Sequence, residues 1–295
     1  MSGLRHASLG LLLFVGCGES GGERSLAVAH TVGFGTEMGE VDGRAITIGV
    51  DLDGQDTVER GSACFQEDYV APDGRTGIDN SFASIFSLVE GVFQEGTVEG
   101  IIQGTINNGR LLLLFEVEGV DDWQNDPDVE VSVFLGDGRP VVGPDDRLVP
   151  NQTFDERLEV PRNRVSGRIT DGVLETEAFD TTLPLTFFNV FFDLRLFNTQ
   201  IRATVNESGE WEGVLAGGMP KEDLLDVSMQ ADAMQGIQVT PLVLTFLPGW
   251  TDLAFDEATG ECNQISAVLS FRTTRAFLFD DAPPEGPAEE ATESL

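Results

Sequence analysis

Alternation is the property that most constrains this chain. Apolar residues recur at every second position in run after run, and short polar turns separate the runs. In AITIGVDL, Ile46, Ile48, Val50 and Leu52 share one face. In LTFFNVFFDLRLF, Phe188, Val190, Phe192, Leu194 and Leu196 fall together, with Asn189, Asp193 and Arg195 opposite. EVSVFL and ISAVLSFRTTRAFLF behave alike. A period of two marks a strand with one face in a core. NNG at 107–109, GDG at 136–138, TDG at 170–172 and ESGE at 207–210 supply the turns. IIQGTINNGRLLLL, VSGRITDGVL and IRATVNESGEWEGVL each read as strand, glycine turn, strand. Repeated hairpins make antiparallel sheets, and a sheet must bury one face. The expectation is a mainly β fold, an antiparallel β-sandwich of jelly-roll-like form.

Two segments break the period. DNSFASIFSLVEGVFQ sets Phe82, Ile85, Phe86, Val89 and Phe93 at helical spacing behind Asp79 or Asn80 as a cap. PKEDLLDVSMQADAMQG opens on Pro220, places Glu222 and Asp223 at the positive end of a helix, and closes at Gly236. These are two short helices expected to cover an open end of the β body, with Met229 and Met234 as packing residues.

Composition narrows the function. Fifty-one acidic residues against 17 basic ones give a net charge of −34, and Lys221 is the only lysine. Such a surface repels nucleic acid and anionic headgroups, so no nucleic-acid partner is expected. The only histidines are His6 and His30. A Ser-His-Asp or Cys-His device would lack its base, and a histidine–cysteine zinc site would lack ligands. No catalytic residue is assigned, and the protein is read as a non-enzyme. Glu116 with Glu118 could in principle serve a carboxylate-based hydrolase. Trp123, Trp211 and Trp250 could stack on a sugar. In so acidic a β chain, chance pairing and core packing account for both more simply.

The N-terminus bears on location. Arg5 precedes the apolar run Ala7–Val15, which falls short of the about 20 residues that span a bilayer. A basic start, a short apolar stretch and a small-residue exit form a secretory signal. Phe14-Val15-Gly16-Cys17 resembles the lipobox of bacterial lipoproteins, with Phe14 where leucine is usual. The resemblance implies that Cys17 is acylated and begins the mature chain; a plain cleaved signal is the alternative. Gly18, where aspartate would favour inner-membrane retention, leans toward the outer membrane. The expected divisions are a signal peptide at 1–16, a flexible linker at 17–30, one β domain at 31–279 and a disordered acidic, proline-rich tail at 280–295.

Export would place Cys64 and Cys262 in an oxidising compartment, where an even pair reads as a disulfide, two buried thiols being the alternative. VDLDGQD puts Asp51 and Asp53 on the same non-core face; Gly54 permits a turn and Asp56 can fold back. Hard carboxylate oxygens in a compact loop suit calcium. QEDYVAPDGRTGIDN adds Asp68, Asp73 and Asp79, and a Cys64–Cys262 link would close this loop over Asp51 and Asp53. Asx turns and a helix cap are the competing use of these aspartates.

DLDG, CFQEDYVAPDGRTGIDNSF and GECNQISAVLSF are similar to a recurring layout in uncharacterised acidic lipoproteins of myxobacteria and related bacteria, from about Ile46 to Phe271. The resemblance implies a surface lipoprotein with Cys64 and Cys262 as landmarks, and it transfers no functional residue. The expected function is a structural or adhesive role, calcium-stabilised, at a membrane held through the N-terminal lipid. A module binding a glycan or a small apolar ligand stands second and a hydrolase third. The protein or glycan partner stays open.

Overall fold

A computed structural model describes residues 22–59, 64, 66–86, 96–187, 190–206, 208–236 and 238–279. Cys17, the expected signal and the 280–295 tail lie outside them, as does the second half of the first expected helix. In chain order the strands are β1 (Glu23–Phe34), β2 (Gly39–Val41), β3 (Arg44–Ile46), β4 (Leu112–Val120), β5 (Asn125–Asp137), β6 (Gln152–Glu156), β7 (Asn163–Thr170), β8 (Val173–Thr176), β9 (Phe179–Phe187), β10 (Val190–Val205), β11 (Trp211–Pro220), β12 (Leu253–Asp256) and β13 (Glu261–Leu278). Residues 82–86 are helical, as expected for the first helix, and the helices described from end to end are α1 (Thr97–Asn107), α2 (Lys221–Gln235) and α3 (Thr240–Phe246).

Strands β1, β4, β5, β7, β8, β10, β11 and β13 each pair antiparallel with the next. β13 then pairs back with β1, from Ala27↔Arg275 to Phe34↔Leu269. The result is a closed, eight-stranded, up-and-down barrel. Mainly β holds, but the jelly-roll-like sandwich does not. Local alternation is the same in both architectures. The pairing of the first strand with the last is what closes one sheet on itself and removes its edges.

Side chains fill the interior. Phe115 of β4 stacks on Phe271 of β13 with centroids 4.2 Å apart and meets Trp211 of β11 at 5.7 Å. The outer face carries exposed ion pairs between neighbouring strands: Arg164–Glu130, Arg168–Glu175 and Arg272–Glu212. No described helix is long and apolar enough to cross a bilayer.

Several elements differ from expectation for identifiable reasons. Residues 23–30, expected within a linker, begin β1, and Leu26, Ala27, Val28 and Ala29 are buried in succession between β4 and β13. Small side chains serve both faces there, so no alternation shows. IIQGTIN, expected as a strand, lies inside α1; Val98, Ile102, Thr105 and Ile106 are buried at the i, i+4, i+7, i+8 spacing of one helix face. LTFFNVFFDLRLF is a hairpin, β9 into β10, meeting at Phe187↔Val190. Its tip at 188–189 lies outside the described residues. α2 follows its sequence signals, with Pro220 just before it and Gly236 after it at φ 68°. Met229 and Met234, expected to pack, are exposed on α2. α3 is a further helix that the sequence pattern did not show.

AITIGVDL is the difference that matters for function. Ile48, Val50 and Leu52 do share a packed face, but the segment is no barrel strand. It lies on the outside of β11 and β13, against Val214, Ala216 and Val268. Isolated bridges Ile46↔Val70 and Val50↔Asp79 tie it to the acidic loop that follows.

Candidate functional site

This outer layer brings the two acidic segments together. Asp51 Oδ1 accepts the Gly54 amide at 2.6 Å and Asp53 Oδ1 accepts the Gln55 amide at 2.8 Å. The Asx turns weighed against calcium are therefore present, and they shape the loop that presents both carboxylates. Asp79 arrives from the second segment. Gly77 makes that approach possible: its φ is +71°, and a Cβ there would fall 2.5 Å from the Gln55 carbonyl oxygen. One oxygen from each of Asp51, Asp53 and Asp79 lies within 4.8 Å of the others. Asp51 and Asp53 are exposed, and Asp79 is buried.

Burial governs Asp79. It pushes the carboxyl up to about 8, with Asp252, Asp53 and Asp68 adding like-charge repulsion, although the Leu52 amide donates to Oδ2 at 2.6 Å. Burial also raises Asp68 to about 6, against the Thr57 amide that donates to it and with help from Asp53 and Asp56. Asp252, just before β12, is half-buried and is raised to about 6 by desolvation, despite hydrogen bonds from Ser266 and Ser81. Asp53, Asp68, Asp79 and Asp252 line one cavity of about 300 Å³, which Cys64 and Cys262 also border. Cys64 and Cys262 stand in disulfide geometry with Cα atoms 5.3 Å apart, so the acidic loop is pinned to the start of β13.

Two of the expected ligands do not join. Asp56 pairs with Arg44 at 2.6 Å, and that bond holds its carboxyl below the ordinary range. Asp73 pairs with Arg75 at 2.9 Å and lies 3.8 Å from Arg202. Asp252 joins instead. Its one sequence signal was its place beside the Cys262 landmark: the β12–β13 hairpin sets Phe255 opposite Cys262 and carries Asp252 into the same cavity. Asp79 and Asn80 do not cap a helix with their side chains. Asp79 takes the Leu52 amide, and Asn80 Nδ2 donates to Thr47 Oγ1 at 2.9 Å and to the Gly35 carbonyl at 3.2 Å.

The remaining candidates have structural employment. Glu116 is fully buried between Arg24 and Arg162, and Arg162 also bonds Glu156 at 2.7 Å and covers the Phe134 ring at 3.8 Å. Glu118 lies 3.5 Å from Arg24. These carboxylates belong to an ion-pair network on the barrel wall, not to two sides of a cleft. Trp211 fills the interior, Trp250 packs against Phe246, and Trp123 donates to Glu23. His30 sits half-buried in β1, its pKa lowered by burial and by Arg147.

No protein-family model, no curated protein and no solved structure matches this chain.

Proposed function

We propose that this chain is a non-catalytic, lipid-anchored protein of the cell envelope, with a structural or adhesive role, whose acidic outer layer is locked by calcium. The convergence of Asp51, Asp53 and Asp79 carries the reading. Burial and the neighbouring carboxylates raise the Asp79 pKa, a divalent cation relieves that crowding of charge, and an all-oxygen donor set suits calcium. Outside the cytosol, sites with dissociation constants of about 10⁻⁴–10⁻³ M suffice. Such a clamp fastens residues 51–53 to the loop ending at Asp79, and with it the layer over Val214, Ala216 and Val268. The anchor and the lean toward the outer membrane rest on Phe14-Val15-Gly16-Cys17 and Gly18. An apolar interior under a charged exterior supports a body that stands in water beside the membrane.

Thermal unfolding in millimolar calcium and in chelator tests the clamp. Calcium is expected to raise the melting temperature. Asp51→Asn with Asp53→Asn is expected to abolish that rise while leaving the chelator value near wild type. Identical melting of the wild type in both conditions would remove the site. For the anchor, intact protein from its native cells is expected to carry acyl mass on Cys17; a chain still starting at Met1 without lipid defeats that part.

A further inference from the structure

In so acidic a chain, a cation without a carboxylate partner is notable. Among the described residues most arginines are ion-paired. Arg110, Arg139 and Arg157 hold no such pair, and all three line one groove of about 770 Å³. The groove runs between the turn after α1, the turn ending β5 and the β9–β10 hairpin.

Its construction follows from a repeated tripeptide. Asn108-Gly109-Arg110 and Asp137-Gly138-Arg139 are both turns with glycine before arginine. Gly109 has φ +80°, and a Cβ on it would collide with the Gly138 carbonyl. The bare glycine lets the two turns touch, which brings Arg110 and Arg139 to the same groove. Arg157 donates to the carbonyls of Arg110 at 3.2 Å and Gly109 at 3.4 Å, and so fixes the first turn. The Arg110 guanidinium stands 5.6 Å from the centroid of Phe191, whose side chain is 66% exposed. The groove's two acids leave the arginines alone: Asp137 Oδ1 takes the Gly138 amide at 2.9 Å, and Asp193 is exposed on the hairpin.

We infer that this groove binds a small organic anion, with an oxyanion head on Arg110 and Arg139 and a flat apolar body against Phe191. A guanidinium fork matches the paired oxygens of a carboxylate, sulfonate or phosphate. The volume suits a small ligand. The net charge of −34 opposes polyanions and anionic bilayers, which meet the whole field of the protein, more than a small ligand enclosed by local cations. This reading is independent of the calcium clamp, which lies on another face of the fold formed by β11, β13 and their covering loops.

The probe is 8-anilinonaphthalene-1-sulfonate, with N-phenyl-1-naphthylamine as the same body lacking the sulfonate. Fluorescence titration of the full chain is expected to show saturable binding of the sulfonate at one site. Arg110→Gln and Arg139→Gln are each expected to weaken it about tenfold, an ordinary loss for one charge-assisted contact. Arg164→Gln removes the same charge from an exposed pair with Glu130 and is expected to leave binding unchanged. The neutral probe is expected to bind at least about tenfold more weakly. Arg110 and Arg139 are exposed, and melting curves check that the variants fold. Wild-type affinity in either folded variant, equal binding of the neutral probe, or no saturable binding overturns the inference.

Discussion

Replacing Asp79 by asparagine tests the acidic layer where its charge is most confined. In the folded protein the Asp79 carboxyl titrates at about 8 rather than the ordinary 3.8. The native state therefore holds this proton more tightly than the unfolded chain does. The stabilisation from that proton is complete below about pH 4 and is lost as pH rises toward 8. At about 1.4 kcal/mol per pKa unit, the loss by pH 7 has an upper bound of roughly 4 kcal/mol. Asp68 and Asp252, both near 6, share the same cavity and part of the same repulsion. A single substitution then recovers about 2 kcal/mol. Asparagine keeps an oxygen for the Leu52 amide and removes the charge. In chelator at pH 7.5, Asp79→Asn is expected to melt above wild type by about 4–8 °C, with the gap closing toward pH 4.5. Calcium is expected to raise the wild type and leave the variant nearly unmoved. Thermal unfolding followed by near-ultraviolet circular dichroism across this pH range, with and without calcium, reads both effects. A variant less stable than wild type in chelator at pH 7.5, or a gap of equal size at both pH values, refutes the reasoning.

Three other substitutions probe the frame around the site. Phe115→Ala empties the contact with Phe271 and Trp211 and is expected to cost about 3–5 kcal/mol in a urea midpoint measurement. Glu116→Gln leaves Arg24 and Arg162 facing a neutral group on the wall; a loss of about 3 kcal/mol is expected by the same assay. Gly77→Ala forces a side chain into a left-handed conformation against the Gln55 carbonyl. It is expected to cost about 1–3 kcal/mol and to weaken calcium binding in titration calorimetry.

What was legible in the sequence was local. The strands of EVSVFL and ISAVLSFRTTRAFLF, the turns at GDG and TDG, and α2 between Pro220 and Gly236 all announce themselves through neighbours a few residues apart. Barrel closure depends on Ala27 meeting Arg275, and no local pattern encodes so distant a register. α1 was hidden because Val98, Ile101, Ile102, Thr105 and Ile106 are β-branched and suggest a strand by type, while only their spacing says helix. At the acidic site the Asp51–Asp53 spacing and the link from Cys64 to Cys262 foretold which segments meet. They did not tell Asp73 from Asp252, because arginine neighbours claim the former and a hairpin register delivers the latter. The arginine groove was invisible as a group, though both of its turns had been read as turns.

Among the described residues, the first strand made and the last are neighbours in the finished ring. Until Glu261–Leu278 has been synthesised, β1 and β11 have no partner along one side, and their bare amides and carbonyls invite mispairing. A premature stop anywhere before Glu261 would yield an open, sticky ribbon fit only for aggregation or proteolysis.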